Sequence, residues 1–138
     1  MARQFYHAIC IAMATLLGCT QPDTSENEEL RSLPVISGAL LEDYVAQSAV
    51  PVRVEFGVDF QCDRCRQMKT PILDLADRFE GRAELIRVDF NANVKMVSQW
   101  GGNICPTYGL FHHGNPILAE SFPVSADILE SRLSDIVQ

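Results

Sequence analysis

The chain has 138 residues, 47% of them hydrophobic and 21% charged, which suffices for one compact core and falls short of two ordinary domains. Its 11 basic and 18 acidic side chains give a formal net charge of -7, a balance that repels phosphate backbones, so nucleic acid is not an expected partner. The five cysteines fall unevenly, at Cys10, Cys19, Cys62, Cys65 and Cys105, unlike the evenly paired framework of a small secreted disulfide scaffold.

Residues 1–18 carry Arg3 and then an apolar run from Ala8 to Leu17. The run is too short to span a bilayer and fits the positive and apolar regions of a secretory signal. It ends in Leu16-Leu17-Gly18-Cys19, which resembles a bacterial lipobox. That resemblance implies lipidation and cleavage at Cys19, loss of Cys10 with the signal, and an extracytoplasmic protein anchored to a membrane at the periplasmic face or cell surface. Residues 19–33 are acidic and poor in apolar side chains, the composition of a solvated tether with a reach of roughly 20 Å. A folded domain is expected over 34–138.

Within that domain, Pro34 to Ser37 reads as a short strand, followed by Leu40, Leu41, Tyr44 and Val45 at helical spacing and a β-branched strand from Val50 to Phe56. After Cys62, residues Met68, Ile72, Leu75, Ala76 and Phe79 recur at steps of three and four, predicting an amphipathic helix bent at Pro71 and stopped at Gly81. A strand from Ala83 to Asp89 and a short helical stretch from Asn93 to Trp100 come next. Two strands, Thr107 to His112 and Pro116 to Ser121, flank the turn His113-Gly114-Asn115. Ser125 then caps a last helix, with Ile128, Leu129, Leu133, Ile136 and Val137 expected on one face. This order predicts an α/β fold with one mixed sheet and helices on both of its faces.

Cys62-Asp63-Arg64-Cys65 opens the long helix. There the first thiolate meets unpaired backbone N–H groups and the positive end of the helix dipole, and the second sulfur, one turn on, is near enough to resolve a mixed disulfide. The same spacing forms half of a zinc site, but the remaining donors are Cys105, His112 and His113, and successive strand residues face opposite ways, so no metal is expected.

Four features together resemble the thioredoxin family over residues 34–138. The strand Val52-Arg53-Val54-Glu55-Phe56 precedes Cys62-Asp63-Arg64-Cys65. Pro71 to Ala76 is similar to the family's proline-kinked active-site helix. Trp100-Gly101-Gly102-Asn103-Ile104-Cys105-Pro106-Thr107 resembles the segment ending in its cis-proline, and Phe111 to Asn115 resembles its hairpin turn. The resemblance implies a thioredoxin-like fold, a mixed five-stranded sheet flanked by about four helices, with Pro106 cis beside the cysteines. It implies a thiol–disulfide oxidoreductase that uses Cys62 and Cys65 on protein substrates, exchanges electrons with a membrane donor or acceptor, and needs no cofactor.

It also implies a substrate groove formed by Gln61, Asp63, Arg64, Cys105 and Thr107. Glu55 and Arg87 match the family's buried acid and its basic partner if one extra residue lies between Gly57 and Gln61. Without that gap the acid's position falls on Phe56, and Asp59 becomes the fallback. Glu55 is then either a proton relay to Cys65 or a plain structural ion pair.

The chain departs from the family in having Gln61 where tryptophan is usual, Asp63-Arg64 in place of Gly-Pro, and Cys105 where an aliphatic residue is usual. The direction of the reaction therefore stays open. The competing reading is a non-catalytic thioredoxin-like binding module or metal chaperone. Cys105 is expected beside Cys62, as a third reactive thiol or as a small buried hydrophobe.

Overall fold

The computed structural model describes residues 30–137. The expected signal, Cys10, the lipidation site Cys19 and most of the expected tether lie outside the described residues. Chain order is α1 (Leu41–Gln47), β1 (Val52–Gly57), α2 (Asp63–Arg78), β2 (Glu84–Asp89), α3 (Val94–Gln99), β3 (Thr107–His112), β4 (Asn115–Ser121) and α4 (Ala126–Ser134). Short 3-10 turns at Gly38–Leu40 and Asn91–Asn93 lead into α1 and α3.

The strands form one mixed sheet in the order β2-β1-β3-β4, with β1 parallel to β2 and the other pairs antiparallel. It has four strands where five were expected. The segment from Pro34 to Ser37 makes a single parallel bridge, Val35 to Arg87, with the Ile36 N–H donating to the Arg87 carbonyl at 2.9 Å. Ser37 then turns the chain away by capping the first 3-10 turn, so the ladder never extends. Packing begins just before the expected boundary. Leu33 is buried in the core, and Arg31 donates to Asp77 at 2.5 Å.

Each face of the sheet carries its own apolar cluster. On one face Val52, Val54, Phe56, Ile86 and Val88 meet Leu41 and Val45 of α1 and Val97 of α3, with Trp100 and Phe111 in edge contact at 5.0 Å. On the other, Leu85, Tyr108 and Leu110 meet Met68, Ile72 and Leu75 of α2 and Leu129 and Leu133 of α4. β1 is therefore covered on both sides, although its sequence alternates apolar and charged residues.

α2 continues through Pro71 and ends at Arg78, and Gly81 takes φ +74 in the turn beyond it. His113 and Gly114, at φ 51 and 76, form the hairpin loop, both residues left-handed as a tight two-residue turn requires. Ser125 caps α4 as expected, accepting from the Ile128 N–H. Ile128 itself is 46% exposed and does not share the buried face of Leu129 and Leu133.

Candidate active site

Cys62 is the N-cap residue of α2, in extended backbone geometry, and its sulfur accepts a hydrogen bond from the Cys65 N–H at 3.1 Å. Both cysteines are buried and joined in a disulfide, with Cα atoms 5.2 Å apart, inside the usual range for a bridge. Sulfur at an N-cap sits where helix N–H groups and the macrodipole favour negative charge, so the geometry stabilises a thiolate on Cys62 rather than on Cys65.

Asp63 ion-pairs with Arg66 in the first turn, both side chains largely exposed, and Arg64 is exposed beside them. Gln61 is also exposed and holds φ 56, which turns the chain into the helix. Pro106 follows a cis peptide bond, as expected, and the Phe122 N–H donates to its carbonyl at 3.0 Å. A second cis bond, Phe122-Pro123, was not foreseen.

Cys105 lies against the disulfide, its sulfur 3.2 Å from Cys65 Sγ and 3.8 Å from Cys62 Sγ. The expected neighbour was Cys62; Cys65 is the nearer. Burial pushes the Cys105 thiol pKa up, with Glu55 acting in the same sense and the Val58 backbone, Arg64 and Arg87 opposing. Thr107 does not face the expected groove. It is buried, and its hydroxyl donates to the Ile104 carbonyl at 2.7 Å and lies 2.8 Å from the Ser121 hydroxyl, because it opens β3 between β1 and β4.

Beneath the cysteines, Glu55 is 1% exposed and pairs with Arg87 through Nε at 2.8 Å and Nη2 at 2.7 Å. Register explains the meeting, since Glu55 lies opposite Arg87 on β2 and Tyr108 on β3. The Tyr108 hydroxyl donates to Glu55 Oε1 at 3.2 Å. Arg87 also ion-pairs with the mostly exposed Asp59, so one guanidinium serves both acids. Burial works against the Arg87 charge, but Glu55 and then Asp59 outweigh it and raise its pKa. Burial first, then Glu55, raises the Tyr108 pKa strongly. Phe56 packs in the apolar cluster on the opposite face, which decides the register in favour of Glu55 as the buried acid.

Glu55, Asp59, Arg87 and Cys65 line one open cavity of about 680 Å³ together with Arg66 and Lys69. Glu55 thus borders the same space as the inner cysteine. Tyr108, which sequence reading passed over, was legible only through the β1–β3 register. His112 and His113 stack on each other with ring centroids 3.8 Å apart, against the expectation of opposite faces, because His113 belongs to the turn. Neither joins the cysteine cluster.

The sequence profile of the thioredoxin family matches residues 21–134. The chain belongs to the thioredoxin family. It is 25% identical over 88 residues to a thioredoxin of Synechocystis sp., covering 64% of this chain and 81% of that one. Against thioredoxin 1 of Nostoc sp. it is 27% identical over 82 residues, covering 59% and 76%. A solved structure of a mutant thioredoxin from Halobacterium salinarum NRC-1 superposes with a TM-score of 0.65 at 21% identity, covering 76% of this chain and 90% of that one. At that identity the superposition speaks for the fold, and the four-stranded mixed sheet with four flanking helices is thioredoxin-like.

Proposed function

We propose that the chain is a lipid-anchored, extracytoplasmic thiol–disulfide oxidoreductase that exchanges disulfides with protein substrates through Cys62 and Cys65. The observation that carries the activity is the Cys62–Cys65 bond at the N-cap of α2, next to cis-Pro106. The lipobox-like run ending at Cys19 supports the location.

In the reducing direction, the Cys62 thiolate attacks one sulfur of a substrate disulfide, forming a mixed disulfide and releasing the other substrate sulfur as a thiolate. Cys65 then loses its proton and attacks Cys62 Sγ. The Cys62–Cys65 bond forms, the second substrate thiolate leaves, and two electrons have passed to the substrate. Oxidation of a substrate dithiol is the same sequence reversed. A membrane donor or acceptor of electrons resets the pair and sets the direction.

Glu55 is the proton acceptor for Cys65, through the cavity that both residues line, and Arg87 positions its carboxylate. The exposed residues Gln61, Asp63 and Arg64, with Cys105 and Pro106, form the rim against which the substrate lies. Insulin reduction by dithiothreitol tests the activity. Catalytic turnover that falls to the uncatalysed rate in Cys62→Ser supports it, and equal rates with and without the protein would refute it.

A further inference from the structure

Cys105 is left out of the exchange scheme as an electron carrier, yet its sulfur touches both members of the disulfide, at 3.2 Å and 3.8 Å. The three sulfurs all lie within 4.8 Å of one another, and no histidine or carboxylate joins the group among the described residues.

Geometry separates two uses of this third sulfur. In thiol–disulfide exchange the attacking, attacked and leaving sulfurs lie close to one line. If Cys105 were aimed at Cys65 in that way, Cys62 would stand farther off by an S–S bond, about 2 Å. It stands at 3.8 Å against 3.2 Å, so the sulfurs make a triangle. A triangle is poorly arranged for internal exchange and well arranged for three ligands around one ion.

We propose that the reduced Cys62, Cys65 and Cys105 form a metal site that binds one Cu(I) ion through three thiolates. Thiolate ligands select soft ions, Cu(I) and zinc among them. Structural zinc takes four protein ligands, and this cluster offers three. Cu(I) is content with three sulfurs. Cys62 and Cys65 are buried and Cys105 is half-buried, which shields the ion from water and oxidants.

The site is gated by the redox state of the pair. In the disulfide form two of the three ligands are bonded to each other and only Cys105 remains. Two-electron reduction by a dithiol, itself oxidised to a disulfide, supplies the missing thiols. Bound copper then occupies both exchange sulfurs, so metal loading and exchange exclude each other.

The test uses the whole chain, reduced with dithiothreitol, desalted without oxygen and titrated with Cu(I) against bicinchoninate. One Cu(I) per chain is expected to leave the indicator, and X-ray absorption at the copper edge should count three sulfur neighbours. Cys105→Ser should weaken retention by more than the roughly 10–100-fold typical of losing an outer-shell partner. Cys105→Ala serves beside it, with circular dichroism and formation of the Cys62–Cys65 disulfide as the checks on folding. Two sulfurs around copper in the unsubstituted protein would overturn the proposal without reference to any variant. So would equal retention by a folded Cys105 variant, or equal binding by chain oxidised with diamide. Copper retention does not depend on insulin turnover, so failure here leaves the exchange reading standing, and the reverse also holds.

Discussion

Arg87 grips a single oxygen of Glu55 with two donors, Nε at 2.8 Å and Nη2 at 2.7 Å, and leaves the other oxygen to Tyr108. The carboxylate is buried, and these partners offset the cost of taking it out of water. Breaking a buried ion pair from one side typically costs about 3–5 kcal/mol, because the surviving charge keeps its desolvation penalty. Arg87→Met is therefore expected to lower the urea midpoint sharply. Glu55→Gln with Arg87→Met should recover part of the loss, and urea unfolding of the two single variants and the double one checks this. Additive losses would mean that the pair is not coupled.

The Glu55–Arg87 pair was reached in the sequence only through the family resemblance, and its third member, Tyr108, was not reached at all. The Cys62-Asp63-Arg64-Cys65 motif, the helix behind it and the turn at His113 are local signals, and each lies where local chemistry put it, whereas the cis bond at Pro106 was expected only from the family resemblance. Val52-Arg53-Val54-Glu55-Phe56 alternates like a strand with one wet face, yet both faces are covered and Arg53 and Glu55 are each 1% exposed. Arg53 is held by the Leu129 carbonyl at 3.0 Å and lies 3.7 Å from Glu120, and its pKa is lowered to about 10, chiefly by burial. Such partners come from distant strands and helices, and only the register brings them together. The inward turn of Thr107 has the same origin, since β3 runs between β1 and β4.

Tyr108 gives a pH prediction. Its folded pKa is raised by burial and then by Glu55, so the folded state keeps a proton that the unfolded chain releases near pH 10. The resulting stability is complete below that pH and declines above it. Tyr108→Phe removes this contribution and a hydrogen bond to a charged group, worth about 1.5–3 kcal/mol. The stability difference between wild type and Tyr108→Phe should therefore shrink between pH 9 and pH 11 (roughly, about the free tyrosine value). Absorbance at 295 nm (on the order of the phenolate band) should show no ionisation of Tyr108 before unfolding, in keeping with its desolvation. A difference that stays constant with pH would contradict the assignment.

Gly102 lies in the approach to Pro106 with no room for a side chain. A Cβ there would meet Val97 Cγ1 at 2.6 Å, Thr107 Cγ2 at 2.7 Å and Thr107 Oγ1 at 2.9 Å. Val97 and Thr107 are both buried and cannot swing away, so Gly102→Ala should cost about 1–3 kcal/mol, the usual range for overpacking. Thermal or urea unfolding measures it. An unchanged midpoint would mean that the loop before Pro106 yields freely.

The proposed anchor is tested apart from the fold. Cys19→Ser should shift the protein from the membrane fraction to the soluble one and abolish any acyl mass at residue 19. Undiminished membrane association in that variant would remove the lipid anchor from the account.

The most direct test of the exchange chemistry is a trap. Reduced Cys65→Ser should attack a disulfide substrate such as insulin, form the mixed disulfide and stall, since the second sulfur is gone. Peptide mapping under non-reducing conditions is expected to find the substrate bonded to Cys62, the N-cap sulfur. A substrate bonded to Cys105 instead, or no mixed disulfide at all, would contradict Cys62 as the attacking thiolate.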